Sequence, residues 1–275
     1  MQMVYDEQLK KFIQDAKLFF KQQEELYGNL IIERSAENQI SRTNFEKKDV
    51  RNEPVATQVD LFGNVVSLPQ ANSKDYAKPQ KYPDEPWVGV NNIGELEKMI
   101  NKCTKCALGY TRKNFVFGVG NPQADVVVVG EAPGADEDEQ GEPFVGRAGQ
   151  LLNKILEAVQ LKREEVYICN VLKCRPPNNR DPQADEIEKC EPYLWKQLEL
   201  INPKIILCAG RIAAQALLKT SASLAELRSK VHNYREIPLV VTYHPAALLR
   251  NPQWKRPCWE DMQNFRNLYD KILGK

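Results

Sequence analysis

The stretch VVVVGEAPG occupies residues 126–134 and joins a run of four valines to a turn of glycine, glutamate and proline. Four consecutive β-branched residues are typical of a strand that is buried on both faces, as in a parallel sheet. Three further apolar runs of this kind lie at residues 166–170, 205–209 and 239–243. Helical patterns lie between or after the runs, at residues 148–159, 185–201, 211–218 and 260–273. This repeated order of strand and helix predicts an α/β protein with three α/β/α layers and a central, mainly parallel sheet.

The carboxyl ends of these strands are where we expect a binding site. In open α/β sheets, ligands bind beyond the carboxyl ends of the strands. The segments that follow the predicted strands are residues 130–144, 170–175, Gly210 and residues 244–250.

Composition and charge limit the kinds of protein to consider. The chain has 275 residues, of which 42% are hydrophobic, enough for one large domain with an appendage. Lys and Arg number 38 and Asp and Glu 37, so that any nucleic-acid binding must use a local patch. The sequence has no run of eighteen apolar residues and no apolar secretory signal in MQMVYDEQLKKF at its start. We therefore expect a cytoplasmic protein without a membrane partner.

The first ninety residues differ from the rest. Apolar residues recur at three- and four-residue spacing and predict an amphipathic helix within residues 1–33. Residues 34–90 are rich in Asn, Gln, Ser, Lys, Asp and Pro without a period, which predicts a flexible, disordered linker. The predicted domain then occupies residues 91–275.

One apolar island, QVDLFGNVVSLP at residues 58–69, interrupts this linker. Its first five residues, 58–62, resemble the Q-x-x-L-F peptide by which bacterial proteins bind the sliding clamp of replication, with Gln58, Leu61 and Phe62 as the contact residues. Apolar residues in a polar linker have no core to enter, which favours this interpretation. The alternative is that the island folds back onto the domain as a short strand.

The cysteine spacing indicates a metal centre. Cys103 and Cys106 form a C-x-x-C pair, and Cys174 and Cys190 follow sixteen residues apart. Four thiolates suit zinc or an iron–sulfur cluster, and the single C-x-x-C pair favours a [4Fe-4S] cluster, since a zinc ribbon normally has two such pairs. The alternative is that Cys174 and Cys190 are ordinary buried side chains. Three further cysteines are left out of the set because they lie in apolar strands or have no thiol nearby: Cys169, Cys208 and Cys258.

The loop after the first strand, residues 130–152, is not a phosphate-binding loop. It has no G-x-G-x-x-G or G-K-[ST] pattern, and five acidic residues between Glu131 and Glu139 would repel a phosphate. A solvated acidic loop is the simplest interpretation, but it does not account for the Pro133-Gly134 turn at the strand end or for Phe144.

Four motifs in this order resemble the family 4 uracil-DNA glycosylases: GEAPG at 130–134, GEPFVGRAGQLL at 141–152, VYICNVLKCRPP at 166–177 and YHPAALLR at 243–250. With the four cysteines, the resemblance covers roughly residues 92–275. It implies the uracil-DNA-glycosylase fold, a [4Fe-4S] cluster on those cysteines, and removal of uracil from DNA to leave an abasic site. Related subfamilies carry an inserted basic loop with a nucleophilic histidine; this chain has none before Val166, so we expect hydrolysis without a covalent intermediate.

The resemblance implies that residues Gly130 to Ala132 contact uracil, and base reading is expected of two further residues. Phe144 offers a flat apolar face on which a flipped base can stack. Asn170, which ends the second strand, can pair its amide with O4 and N3–H of uracil. The alternatives are an ordinary core Phe and a strand-end turn residue.

Catalysis is expected of Glu131 and His244, together with Asn170. His244 would donate a hydrogen bond to O2 of the base, where negative charge grows as the bond breaks. Glu131 would orient the attacking water or stabilise the cationic sugar. The other histidine, His232, is interpreted as a loop residue, and Glu137 as a supporting residue.

DNA contacts are expected from cations at the open end of the sheet: Lys173, Arg175, Arg180, Arg250, Lys255 and Arg256. Of these, Arg175 and Arg250 are the main candidates. Leu248 and Leu249 resemble the apolar wedge that fills the gap left by a flipped nucleotide, or else they pack inside a helix.

We therefore expect a monomeric, nucleoid-associated uracil-DNA glycosylase that acts on uracil-containing DNA. One alternative is a catalytically inactive iron–sulfur DNA-binding or polymerase-accessory module. A zinc-stabilised nucleotide-binding domain is a second alternative, weakened by the absence of a phosphate loop.

Overall fold

The computed structural model describes residues 81–275 and, before them, two short strands, β1 (Gln58–Val59) and β2 (Val65–Val66). These strands pair antiparallel within the apolar island. The predicted helix at 1–33, the rest of the linker to residue 80, and Leu61 and Phe62 lie outside the described residues. The chain divides into two units, Met1–Ser67 and Leu68–Lys275, and the sheet and helices below belong to the second.

A six-stranded sheet forms the centre of this second unit, in the order β3-β5-β4-β6-β8-β7. Its strands are β3 (Val119–Gly120), β4 (Val126–Gly130), β5 (Tyr167–Asn170), β6 (Ile205–Ala209), β7 (Val231–Tyr234) and β8 (Ile237–Thr242). The four inner strands are parallel and are the four that the sequence predicts. The two edge strands are antiparallel.

The helices are α1 (Ile93–Ile100), α2 (Ala135–Gln140), α3 (Arg147–Ala158), α4 (Ala184–Ile201), α5 (Arg211–Leu218), α6 (Leu224–Leu227), α7 (Pro245–Arg250) and α8 (Lys255–Ile272). Helices α3, α4, α5 and α8 confirm the four predicted helices. Helix α8 begins at Lys255, five residues before the predicted start at 260. Pro257 permits this earlier start, because it lies in the first turn, where a missing N–H breaks no helical hydrogen bond.

Two helical layers cover the sheet, because successive side chains of a strand point to opposite faces. Val127 and Val129 of β4 belong to a buried cluster with α4 and α5. Val126 and Val128 belong to a second cluster, with α3, α7 and α8. The three-layer α/β/α fold is therefore confirmed.

A third cluster packs the segment before the sheet against α4. Residues 82–90, assigned by composition to the end of the linker, include the buried Trp87, whose ring centre lies 4.9 Å from that of Tyr193. Cys103, Cys106, Cys174 and Cys190 belong to this cluster. No helix of the described residues has both the length and the apolar character needed to cross a bilayer.

Candidate active site

A cavity of about 280 Å³ opens at the carboxyl ends of β4, β5 and β8. Seven of the side chains predicted for the site line it: Glu131, Glu137, Phe144, Asn170, Arg180, His244 and Arg250. They come from segments that extend from residue 131 to residue 250, and the parallel strands bring them together. Ala132 lines the cavity too, and Gly130 precedes it at the end of β4.

Asn170 ends β5 and is only 2% exposed. Its Oδ1 has no hydrogen-bond partner among the residues that the structure describes. A buried polar atom without a partner costs about 1–3 kcal/mol. Since this atom belongs to a residue that lines the cavity, a bound donor would remove that cost.

Phe144 forms a wall of the cavity, with its ring centre 5.5 Å from that of His244 at an interplanar angle of 30°. Its φ is 53°, a left-handed conformation that is strained for a bulky residue. A Cβ built on Gly130 would stand 2.6 Å from the Phe144 ring. Glycine at residue 130 therefore lets the ring approach the end of β4.

The strained conformation of Phe144 is held from two sides. Arg163 donates to the Pro143 oxygen at 2.7 Å and to the Phe144 oxygen at 3.2 Å. The Glu137 carboxylate accepts from the main-chain N–H groups of Val145 and Gly146 at 3.0 and 3.1 Å. The supporting role expected of Glu137 is therefore to bind this loop, and Arg163 is a partner that the sequence did not indicate.

His244 caps the N-terminus of α7, and its Nδ1 accepts from the Ala246 N–H at 3.2 Å. A main-chain N–H can only donate, so that a neutral ring carries its proton on Nε2. Burial lowers the pKa of His244 to about 4, and Arg250 acts in the same direction. His244 is therefore a neutral donor at pH 7. The other histidine, His232, lies on the edge strand β7 and not in a loop as predicted, and its Nε2 contacts the Leu227 oxygen at 2.8 Å.

Burial raises the pKa of Glu131 to about 7, and the Asp181 carboxylate acts in the same direction, while Arg211 and Arg250 act against it. Asp181 and Arg211 form an ion pair at 3.1 Å. Sequence reasoning missed both residues. Arg211 directly follows Gly210, one of the predicted strand ends, whereas Asp181 lies in a loop with no such signal.

The cations expected to face DNA have different surroundings. Arg250 is exposed and lines the cavity; Lys255 and Arg256 are exposed. Arg175 is half-buried and donates to Asn179 Oδ1 at 2.8 Å, and Arg180 forms an ion pair with Glu186. Lys173 corrects the prediction, because its side chain is fully buried and cannot reach DNA.

Leu248 and Leu249 differ in their exposure to solvent. Leu248 is 1% exposed and packs in the cluster of α3 and α8, whereas Leu249 is 38% exposed. Successive residues of a helix differ by about 100° in direction, so two adjacent leucines of α7 can have different surroundings. Leu248 therefore packs inside the helix layer, the alternative given for it, and of the two leucines Leu249 is the exposed one.

The four cysteines of the predicted metal site share one cluster, with Cys174 and Cys190 buried and Cys103 and Cys106 half-buried. Donors point at three of their sulfurs: Arg112 Nη1 to Cys174 and the Tyr193 hydroxyl to Cys103, both at 3.2 Å, and the Lys173 N–H to Cys190 at 3.3 Å.

Within residues 81–275, no group of three or more His, Cys, Asp or Glu side chains converges closely enough to hold one metal ion. A [4Fe-4S] cluster contains several irons, so its four ligands would not need to converge on one ion. An iron–sulfur group would suit these four cysteines. They share one hydrophobic cluster, they are buried or half-buried, and N–H and O–H donors contact three of their sulfurs. Cys169 and Cys208 lie in a different buried cluster, and Cys258 in another.

Comparison with known proteins identifies relatives of this chain. The family model described as the uracil DNA glycosylase superfamily matches residues 117–263. A type-4 uracil-DNA glycosylase of Archaeoglobus fulgidus is 44% identical over 190 residues, which cover 66% of this chain and 96% of the relative. Type-4 uracil-DNA glycosylases of Sulfurisphaera tokodaii and Pyrobaculum aerophilum are 43% and 42% identical; the matches cover 65% and 63% of this chain and 86% and 93% of the relatives.

Proposed function

This chain belongs to the uracil DNA glycosylase superfamily, and we infer that it is a uracil-DNA glycosylase, which hydrolyses the bond between uracil and deoxyribose and leaves an abasic site. Uracil in DNA arises by deamination of cytosine, so this reaction begins base excision repair. The observation that supports the function most directly is the unpaired, buried Oδ1 of Asn170 beside the cavity. A flipped base supplies the N–H group that this oxygen lacks.

Asn170 is proposed to read the base. Its Oδ1 would accept from N3–H of uracil while its Nδ2 donates to O4. Cytosine presents the opposite pattern at these two atoms, so that an amide held in one orientation rejects it. Phe144 would stack on the flipped base, a contact worth about 1–3 kcal/mol. Residues 130–132 would border the same base.

His244 is proposed to stabilise the leaving group. As the glycosidic bond lengthens, negative charge grows on O2 of uracil, and a donor already in place lowers the barrier. Its Nε2 is the nitrogen left free to donate, since Nδ1 caps α7. Because the ring is neutral before the reaction, it stabilises the developing charge by a hydrogen bond rather than as an imidazolium.

Glu131 is proposed to act on the sugar side of the bond. In its ionised form, it can orient the attacking water or stabilise the positive charge that develops on the sugar. Both tasks need a carboxylate, so the raised pKa of Glu131 ties its contribution to pH.

Arg175 and Arg250 are proposed to bind phosphates beside the flipped nucleotide, and Leu249 to fill the gap that it leaves. The cavity is lined by side chains of one chain, which is sufficient for an enzyme that acts as a monomer. A DNA substrate would place its action at the nucleoid.

A [4Fe-4S] cluster on Cys103, Cys106, Cys174 and Cys190 is proposed as a structural crosslink. Bound there, it would tie the C-x-x-C segment to the loop after β5 and to α4, and so support the segment that carries Asn170. Hydrolysis of the glycosidic bond is not a redox reaction, so the proposed structural role needs no electron transfer.

The island at 58–62 is proposed to bind a sliding clamp through Gln58, Leu61 and Phe62. A tether of this kind would raise the effective concentration of the enzyme near replication. A labelled peptide of residues 57–63 should bind the clamp saturably, and a peptide with Leu61→Ala and Phe62→Ala should not. Equal binding of the two peptides would contradict the proposal.

The proposed function is tested with a uracil-containing oligonucleotide that is cleaved at abasic sites after incubation. We expect excision by the unsubstituted protein, and a loss of about 100–1000-fold in single-turnover rate for His244→Ala. His232→Ala is the matched control and should keep the wild-type rate. Without excision, the inactive DNA-binding module, which the relatives do not favour, would regain support.

A further inference from the structure

Lys173 is a fully buried lysine three residues after Asn170. Its Nζ donates to the main-chain oxygen of Asn170 at 2.8 Å and to Oε1 of Gln197 at 2.5 Å. We propose that Lys173 is a positioning residue for base recognition, which fixes the peptide of Asn170 and thereby the direction of the amide that reads the base. This inference rests on the proposed function.

The peptide between Asn170 and Val171 is held from both sides. Its N–H, on Val171, donates to the Gly130 oxygen at 3.0 Å. Its C=O, on Asn170, points the opposite way, as in any trans peptide. On that side the edge strand β3 pairs with Tyr167 and Ile168 but extends no further, so the sheet offers this carbonyl no donor. Lys173 Nζ supplies the donor.

The position of the Lys173 amino group is itself fixed. The Lys173 main chain donates to Cys190 Sγ at 3.3 Å and accepts from the Val116 N–H at 2.8 Å. Gln197, also fully buried, donates through Nε2 to the Phe117 oxygen at 3.0 Å. The contact to Asn170 is therefore part of a rigid network that joins β5 to α4.

Burying a lysine here costs free energy, and the space that its side chain fills does not by itself explain why a lysine occupies this position. The amino group of a buried lysine loses its hydration, and where the group is charged a carboxylate usually compensates. Among the residues that the structure describes, no carboxylate pairs with Lys173, and both partners of its Nζ are uncharged oxygens. A methionine would fill similar space without this cost, but it cannot donate to Asn170.

A double-mutant cycle distinguishes positioning from general stability. We expect Lys173→Met to lower the single-turnover rate of uracil excision about ten- to hundredfold, the cost of leaving a buried carbonyl oxygen without its donor. In an Asn170→Ala background, the same change should alter the rate less than about twofold, because the residue through which it acts is gone. Inhibition by free uracil should weaken, and affinity for DNA with a baseless abasic-site analogue should not change.

The matched control is Lys196→Met, which removes another buried lysine of the domain, one paired with Glu199 rather than with Asn170. It should leave rate and uracil inhibition unchanged. If Lys173→Met does not fold, Lys173→Leu, which also lacks an N–H donor, replaces it in the cycle.

Equal losses in the two backgrounds, or a wild-type rate for the Lys173 variant, would overturn the inference while leaving the proposed function intact. An unsubstituted protein that excises no uracil would contradict the proposed function, and the inference with it.

Discussion

Oδ1 of Asn170 lies 2.3 Å from the point where a Cβ on Gly130 would stand. The two residues are opposite each other on the paired strands β4 and β5, so their main chains cannot separate without disturbing the sheet. The Phe144 ring is nearly as close to the same point, at 2.6 Å. Glycine is therefore required at the end of β4 because two site side chains occupy the space of its missing side chain.

Gly130→Ala should displace Asn170 and Phe144 and lower the single-turnover excision rate by at least about a hundredfold, since a shift of about 1 Å in a site can cost that much. Gly89→Ala is the control, because a Cβ there would meet nothing within 4 Å. Circular dichroism should show both variants folded. A wild-type rate for the Gly130 variant would mean that the site residues adapt without loss.

The pH dependence of excision should follow Glu131. A carboxyl group with a raised pKa is ionised only above that pKa, which burial places at about 7. If the carboxylate is the active form, the rate should fall about tenfold per pH unit below the pKa and level off above it. His244, with a pKa of about 4, stays neutral through this range and adds no second step. Single-turnover rates between pH 5 and 9 provide the measurement.

Two variants test whether Glu131 is the group whose ionisation sets the pH dependence of the rate. Glu131→Gln should be slower and should lose the step, since it has no proton to release. Asp181→Asn removes a carboxylate that raises the pKa of Glu131, so the midpoint should move to lower pH. An unchanged midpoint in the Asp181 variant would place the titrating group elsewhere.

The sequence predicted the inner strands because each is a run of buried apolar residues, a pattern that parallel strands require. It did not predict β3 and β7, because β3 has two residues and β7 reads VHNY, which alternates between exposed and buried side chains without an apolar run. The rule that ligands bind beyond the carboxyl ends of parallel strands indicated the segments that carry Glu131, Asn170 and His244, and these side chains line one cavity.

What the sequence could not predict is the direction of individual side chains. Lys173 and Arg175 are both cations after β5, yet one is buried and the other is half-buried. Helix α7 has six residues, too few for a periodic pattern to separate Leu248 from Leu249. The ion pair of Asp181 and Arg211 joins residues thirty positions apart and needs the fold itself.

Leu248→Ala and Leu249→Ala should affect different properties: the first should lower stability, and the second should slow excision. Leu248 is buried against α3 and α8, so its truncation should lower the free energy of unfolding by about 2–5 kcal/mol. Leu249→Ala should change it by less than about 0.5 kcal/mol but slow excision from duplex DNA about tenfold or more, because the gap in the base stack stays unfilled. Urea unfolding and single-turnover rates give the two measurements. An unaffected rate for Leu249→Ala would exclude it as the wedge.

Arg163→Met should release the strained loop at Phe144. Two of its hydrogen bonds hold the oxygens of Pro143 and Phe144, and without them the left-handed conformation of Phe144 has less to oppose its relaxation. We expect excision to slow about tenfold or more as the stacking wall moves, since binding geometry is lost. Arg266→Met is the control: Arg266 also binds a main-chain oxygen, that of Val159, away from the loop. Equal slowing in both variants would indicate a general effect of stability.

Replacing single cysteines should show which of them bind the metal and which belong only to the hydrophobic core. Cys190→Ala and Cys208→Ala each remove a buried thiol, but Cys190 belongs to the cluster of four cysteines and Cys208 to the sheet core on β6. After anaerobic purification, we expect iron and the visible absorption of an iron–sulfur cluster to be lost with Cys190→Ala and retained with Cys208→Ala. The Cys190 variant should also unfold at a lower temperature, because a crosslink to α4 is gone, whereas truncating Cys208 costs the burial of a small side chain. Stoichiometric zinc in the unsubstituted protein would favour a zinc site, and a full iron content in Cys190→Ala would remove that residue from the ligand set.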